Sequence, residues 1–292
     1  MIRVVIVGLG RFGRVYARRA SEHPELEVVG VVERSELFGD VRAAGFVPFD
    51  SLRDAIDVTY PRLVIVATPP ALHAQLAIEA LKRHVDVMLA KPGAVGIDQA
   101  ERIVATAWNM NRRVVVDYTP TESPAWQELR SRDYSSGIVT ARIVRRGQQT
   151  YQDCGALWDL APHDVALALE LQPEDRVETV TARAWWYPEL DEPVGAWLHL
   201  THASGRTTRI EVDWMAATVE RSVEIIEPNG AHVWDQLVGD TVGPDNVTRA
   251  LDRTVRALRG GSDDTARLLE VTRILEAAER CIYTSADMIL AA

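Results

Sequence analysis

Ile2-Arg3-Val4-Val5-Ile6-Val7-Gly8-Leu9-Gly10-Arg11-Phe12-Gly13 is the stretch whose reading decides the fold of this chain. Ile2 to Val7 has the length and β-branched content of a buried strand, and three glycines follow in the spacing G-x-G-x-x-G before a helical pattern begins. Each glycine answers a physical need. Gly8 permits the tight turn, Gly10 lets backbone N–H groups approach an anion with no Cβ in the way, and Gly13 lets the following helix press on the strand. The positive end of that helix then faces whatever the turn holds, which suits the pyrophosphate of a dinucleotide.

Working outward, Val28 to Val32 reads as a second buried strand, and Glu33 ends it about twenty residues past Gly13. A carboxylate there accepts from both hydroxyls of an adenosine ribose and repels a 2′-phosphate, so the expected cofactor is NAD. Arg34 keeps NADP open, because a guanidinium beside the ribose can pair with phosphate, stack on adenine or simply face water.

Strand and helix patterns alternate through roughly the first 120 residues: Arg62–Ala67, Val85–Leu89 and Arg113–Val116 as strands, Leu72–Arg83 and Gln99–Asn111 as helices. Asp98 and Glu101 read as a capping pair for the second of those helices. Thr119-Pro120-Thr121-Glu122-Ser123-Pro124 reads as a linker, since its prolines disfavour helix and ladder alike. After one more helix pair, Ile138 to Trp234 alternates with period two. Thr208, Ile210, Val212 and Trp214 share one face and Thr207, Arg209, Glu211 and Asp213 the other, as in antiparallel strands with one dry side. Trp185, Trp186, Trp197, Trp214 and Trp234 then belong to the core or to an aromatic surface facing another subunit. Helical patterns over Val247–Leu258 and Thr265–Ile282 close the chain. The expectation is α/β: a doubly wound parallel sheet over residues 1–120, then an α+β domain with an open, mainly antiparallel sheet over 121–292, its last helix returning to the first domain.

A chain of 292 residues with 47% hydrophobic content has material for two cores. A net charge of −10 argues against nucleic acid or an anionic membrane surface as partner. Cys154 and Cys281 stand far apart with no C-x-x-C, which supports neither a disulfide framework nor a cysteine zinc site. An N-terminus that is itself a core strand, with no apolar run long enough to span a bilayer, leads to the expectation of a cytoplasmic protein.

Two places concentrate chemistry. Thr68-Pro69-Pro70 and Lys91-Pro92 each follow a parallel strand, where open α/β sheets bind their ligands. Proline after Lys91 restrains the backbone, through a trans or a cis bond, and helps orient the ammonium. Gly155-Ala156-Leu157-Trp158-Asp159-Leu160-Ala161-Pro162-His163-Asp164 opens a helix on which Asp159 and His163, four apart, share a face that Asp164 does not. A carboxylate and an imidazole so placed can address one hydroxyl, and an imidazole near its ordinary pKa can take the proton that alcohol oxidation releases. A structural histidine and a first-turn acid favoured by the helix dipole remain the plainer alternative. His199 and His202 lie three apart in a strand and cannot jointly hold a metal, and no G-x-S-x-G occurs. Arg145, Arg146, Gln148 and Gln149 can meet a phosphate or carboxylate, or face solvent.

These residues resemble the Gfo/Idh/MocA oxidoreductases over essentially the whole chain: the glycine turn with Glu33, Thr68-Pro69-Pro70 with His73, Lys91-Pro92, the Asp159-to-His163 helix and the closing helix around Ala266–Glu279. The resemblance implies a Rossmann domain joined to an α/β domain with an open antiparallel sheet, homodimers or homotetramers formed through that sheet, and hydride exchange between a nicotinamide and a sugar-like carbinol or ketone. It implies cofactor contacts from Gly8, Gly10, Arg11, Phe12, Gly13, Glu33, Arg34, Thr68, Pro69, Pro70, His73 and Lys91. Substrate contacts fall on Tyr118, Trp158, Asp159 and His163, and catalytic roles on Lys91, His163 and Asp159. The string Leu157–Asp164 with Tyr118 and Ser123-Pro124-Ala125 is similar to the branch associated with nucleotide-sugar or antibiotic-sugar metabolism. Two features depart from the family pattern: Ala90 stands where glutamate is usual before Lys-Pro, and the C-terminal domain is short. Imine or tetrapyrrole reduction, NAD-dependent glycoside hydrolysis and cofactor sensing without catalysis are the rival functions on the same fold.

Overall fold

The computed structural model describes residues 1–132, 134, 137–147, 154–238, 243–284 and 288–290. In chain order its elements are β1 (Ile2–Val7), α1 (Arg11–Glu22), β2 (Leu26–Val32), α2 (Phe38–Ala43), β3 (Pro48–Phe49), α3 (Leu52–Thr59), β4 (Leu63–Val66), α4 (His73–Lys82), β5 (Asp86–Ala90), α5 (Ile97–Met110) and β6 (Val114–Asp117). Then come α6 (Pro124–Arg130), β7 (Thr140–Arg146), α7 (Ala156–Leu171), β8 (Val177–Trp185), β9 (Gly195–His202), β10 (Thr207–Asp213), β11 (Glu220–Glu227), β12 (Gly230–Asp235), α8 (Asn246–Leu258), α9 (Thr265–Thr284) and β13 (Met288–Ile289).

The chain divides into two units, Met1–Asp117 with Pro244–Leu269, and Tyr118–Gly243 with Glu270–Ala292. The second block expected from sequence, 121–292, is therefore interrupted. The reason is visible in α8, whose Ala250, Leu251 and Val255 belong to the same apolar core as Val4, Ile6, Tyr16 and Ile65. No local pattern marks such a return, because an amphipathic helix does not encode which sheet it covers.

In the first unit six strands pair in the order β3-β2-β1-β4-β5-β6, all parallel, the doubly wound sheet that the alternating pattern requires. β4, β5 and β6 are buried at every residue, as expected of strands covered on both faces. α1 buries Gly13, Tyr16, Ala17 and Ala20, one stripe at helical spacing. α5 begins at Ile97 after Gly96, two residues before the predicted start, and no side chain caps it. Asp98 lies in its first turn, favoured by the dipole and not by a capping bond, which corrects the Asp98–Glu101 reading.

The second unit holds a seven-stranded sheet, β12-β11-β7-β10-β9-β8-β13. It is antiparallel except between β7 and β10. That one parallel pair departs from the uniform antiparallel reading of Ile138–Trp234 and has a topological cause. α7 carries the chain over the sheet between β7 and β8, and the β8-β9-β10 meander then brings β10 alongside β7 in the same direction. α7 covers the face carrying Ala141, Ile143, Leu198, Ile210 and Val212, all buried. Arg142, Trp197 and Arg209 alternate onto the other face and are exposed. The tryptophans split accordingly: Trp214 is buried, whereas Trp186 and Trp197 are more than two-fifths exposed.

The segment read as a linker is structured. Thr119–Glu122 forms a 3₁₀ turn, and Pro124 occupies the first position of α6, where a missing N–H costs nothing and Ser123 caps Trp126 N at 3.3 Å.

Candidate functional site

The glycine turn is built as the spacing requires. Gly8 has φ +90°, and a Cβ there would stand 2.9 Å from the Ala67 carbonyl oxygen. A Cβ on Gly13 would fall 1.9 Å from Gly8 O, so α1 approaches the turn as closely as a backbone can. Gly10, by contrast, has no atom other than its own and its two chain neighbours' within 4 Å of where its Cβ would stand. The protein gives no steric reason for glycine at that place, but a ligand seated on the turn does. No side chain caps α1, and its first turn holds no acid, which leaves its positive end for an anion.

Glu33 does more than the sequence reading assigned to it. Its Oε2 accepts from Leu9 N at 2.7 Å and its Oε1 from Arg34 N at 2.9 Å, so the carboxylate also fixes the turn it follows. Arg34 is exposed and pairs with Glu36 at 3.3 Å. Arg11 is exposed and Phe12 half-buried at the start of α1.

At the carboxyl ends of β4 and β5 lie the Thr68-Pro69-Pro70 turn and Lys91. The Thr68 hydroxyl is buried with no hydrogen-bond partner among the described residues, a vacancy in protein bonding that a bound ligand can satisfy. Pro69 is exposed and Pro70 buried. His73 is fully buried. Its Nδ1 lies 2.7 Å from Pro92 O and its Nε2 2.9 Å from Thr68 O, so it joins the two turns. The Lys91–Pro92 bond is cis, and Lys91 is only 7% exposed. One signal of its importance went unread in the sequence: among 32 lysines and arginines, Lys82 and Lys91 are the lysines. Lysine at a buried strand end in so arginine-rich a chain is a choice of chemistry, because an ammonium is a compact charge with a tunable pKa and a guanidinium is not. The open cradle at Gly10, the Glu33 carboxylate and the Thr68 hydroxyl together fit a dinucleotide.

In the second unit α7 carries the other group. From Ala156 to Ala168 every residue is buried except His163, which is half-buried. Asp159, on the same face one turn earlier, is fully buried and accepts from Trp214 Nε1 at 2.9 Å. Trp158 is buried and donates to Glu279 Oε1 at 2.8 Å, and burial pushes the Glu279 carboxyl up from its ordinary value. Tyr118 is buried, its carbonyl accepting from the Thr121 hydroxyl at 2.9 Å.

Asp164 points away from the Asp159–His163 face and meets Arg145, whose Nε and NH2 donate to its Oδ1 at 2.9 and 2.7 Å in a buried pair. Arg146 is held by Glu211 at 2.6 Å and Glu220 at 2.9 Å. Both arginines expected as candidate anion contacts are thus committed to carboxylates of the protein, and Gln148 and Gln149 lie outside the described residues. His199 is half-buried on the open sheet face and His202 buried on the other. Among the described residues no cluster of three or more His, Cys, Asp or Glu side chains can hold a metal, and no helix is long and apolar enough to cross a membrane. Cys154 and Cys281 are buried thiols.

Residues 2–118 match the family model GFO_IDH_MocA, an oxidoreductase family with an NAD-binding Rossmann fold. The glucose-6-phosphate 3-dehydrogenase of Bacillus subtilis is 28% identical over 203 residues, 63% of this chain and 57% of that protein. This chain spans about half the length of the first curated relatives it matches. Among solved structures, GenD2 from gentamicin A biosynthesis in complex with NAD superposes with a TM-score of 0.90 at 22% identity, covering 100% of this chain and 97% of that one. The WlbA dehydrogenase from Bordetella pertussis in complex with NADH and UDP-GlcNAcA gives 0.86 at 21% identity, covering 100% and 98%.

Proposed function

We propose that this chain, whose residues 2–118 match the Gfo/Idh/MocA family model, is an NAD-dependent dehydrogenase of a sugar hydroxyl, the sugar being carried on a nucleotide. The observation that supports the reading best is Lys91, a buried ammonium at the carboxyl end of β5, next to the Thr68 turn that continues β4. Gly8, Gly10, Gly13, Glu33 and Thr68 are the residues that hold the dinucleotide. When bound, the nicotinamide accepts or returns the hydride of the carbinol carbon. His163 takes the hydroxyl proton as general base and returns it in the reverse direction. Lys91 is assigned the role of the cation that offsets negative charge developing beside the bound cofactor. Asp159 orients the substrate by accepting from a neighbouring hydroxyl, Trp214 holding the carboxylate in place for the task. The nucleotide-linked substrate draws its support from the WlbA complex and from the Leu157–Asp164 string. With Arg145 and Arg146 committed elsewhere, neither is assigned to a phosphate.

The same reading makes the protein a cytoplasmic homodimer or homotetramer, with the open sheet face carrying Arg142, Trp197 and Arg209 as the contact. Light scattering on the purified chain decides its oligomeric state. The catalytic assignment is tested by Lys91→Ala and His163→Ala, assayed by nicotinamide absorbance on nucleotide sugars, sugar phosphates and free polyols. Each variant is expected to lose about a hundredfold or more in turnover while NAD affinity stays nearly intact. Unchanged turnover in both removes the assignment, and turnover of polyols alone removes the nucleotide sugar.

A further inference from the structure

We propose that His73 is a positioning residue in the form of a buried imidazolium: a positive charge that bonds the carbonyls of Thr68 and Pro92 at once and so sets the spacing of the turns that carry Thr68 and Lys91. The functional half of the inference rests on the reading of those turns as part of the dinucleotide site, and every residue in it belongs to the first unit.

The ring has an acceptor at each end. Nδ1 lies 2.7 Å from Pro92 O and Nε2 2.9 Å from Thr68 O, and a carbonyl oxygen has no hydrogen to give. A neutral imidazole carries one N–H and one bare nitrogen, so either tautomer keeps one of these bonds and turns a lone pair on the other oxygen. His73 is fully buried, so bulk water does not relieve that contact. The hydroxyl of the same turn, Thr68 Oγ1, has no partner among the described residues and therefore donates nothing to the ring. Doubly protonated, the ring satisfies both carbonyls with charge-assisted bonds, which are roughly twice as strong as neutral ones. The backbone N–H of His73 donates to a third carbonyl, Pro70 O.

Three effects act against the charge. Burial favours the neutral ring, α4 begins at His73 and presents its positive end there, and Lys91, one residue before Pro92, is a buried cation of the same turn. Other charged groups on the elements packed against α4 stand further out. Asp98, Glu101 and Arg102 on α5 and Arg53, Asp54 and Asp57 on α3 are exposed, and β4 carries none. On α4 itself Lys82 is exposed and Glu79 half-buried, both more than a helical turn from His73. Asp86 is buried at the opposite end of β5 and held by Arg62 at 2.8 Å. The two carbonyls decide the balance because they touch the ring and are anchored: Thr68 follows β4 and Pro92 follows β5, strands paired in register from Leu63–Asp86 to Val66–Leu89. By linkage the charge stabilises the folded chain at neutral pH and below, and that contribution is lost as the pH rises through the ring's own deprotonation.

The state of the ring is read by ¹⁵N-histidine NMR on the full chain, which has seven histidines. At about pH 7.5, roughly one unit above the ordinary imidazole value, His73 is expected to show two protonated ring nitrogens, and His73→Gln to delete that signal. A single tautomer with one bare nitrogen overturns the proposal. Should His73→Gln not fold, a triple variant, His23→Gln, His163→Gln and His232→Gln, removes the two histidines beside Asp252 and Glu227 and the proposed general base. A doubly protonated ring that survives there belongs to His73, and its absence overturns the proposal equally. NAD affinity, by fluorescence titration, is expected to fall roughly tenfold as the pH passes through the loss of that proton, with no such step in His73→Gln. Affinity unchanged across that loss overturns the positioning role. The NMR readout uses neither cofactor nor turnover. A doubly protonated His73 in a chain that binds no NAD refutes the proposed activity and leaves the imidazolium standing, and a neutral ring in an NAD-dependent dehydrogenase refutes this inference alone.

Discussion

The two units hold their working groups by different means. In the first, backbone does most of the holding: Glu33 is fixed by Leu9 N and Arg34 N, and His73 contacts two carbonyl oxygens. In the second, side chains hold side chains: Asp159 with Trp214, Trp158 with Glu279, Asp164 with Arg145. The contrast follows from the sheets. Strands buried on both faces leave functional groups only at their ends, where the chain turns and its amides are available. A sheet covered by one buried helix brings polar groups into the interior, where each needs a partner. Damage to the first unit should therefore act on the ligand, and damage to the second on stability.

The largest expected effect breaks a pair in the second unit. Arg145→Met leaves Asp164 without its bidentate guanidinium in a buried place and should cost about 3–5 kcal/mol, read from urea unfolding. Next is pH. His202 is held neutral, its pKa pushed down from 6.5 to about 4 by burial and by Arg206. An unfolded chain binds that proton more readily, so stability is complete above about pH 6.5 and falls by up to about 3 kcal/mol as the pH drops toward 4. His202→Gln should flatten that slope, and an unaltered slope assigns the acid sensitivity elsewhere. Gly13→Ala probes the first unit: the added methyl meets Gly8 O, and NAD binding by fluorescence titration should be lost for about 1–3 kcal/mol in stability. The mildest is Glu33→Gln, which keeps an acceptor for Leu9 N and removes the charge. NAD should bind roughly tenfold more weakly and NADP relatively better. A large stability loss there, with cofactor choice unchanged, would erase the contrast between the units.

Most of the first unit was legible because its signals are local. Continuous apolar runs mark doubly covered strands, and the glycine spacing marks the turn, so β1, β4, β5, β6, α4 and α5 lie within about two residues of their predicted ends. Pro124 misled because proline stops a helix from inside but begins one at its first turn. The parallel β7–β10 pair and the return of α8 were not legible, since period-two and period-3.6 patterns give a face but not a neighbour. Among candidate site residues the type and spacing of Asp159, His163 and Lys91 were readable. That Arg145 and Arg146 are bound to carboxylates was not, because a guanidinium reads the same in sequence whether it waits for a phosphate or is already paired.

By itself the amino-acid order determined a glycine turn between a buried strand and a helix, an acid after the second strand, a lysine at a strand end and an acid and imidazole one helical turn apart, since each depends on neighbours within a few residues. Only the tertiary structure decided that Glu33 also braces the turn, that α8 closes the first core, and that Tyr16 meets Asp117 across 101 positions of chain. Those contacts arise where distant segments are buried together and each polar group must find a partner, a condition that burial imposes and local sequence does not encode.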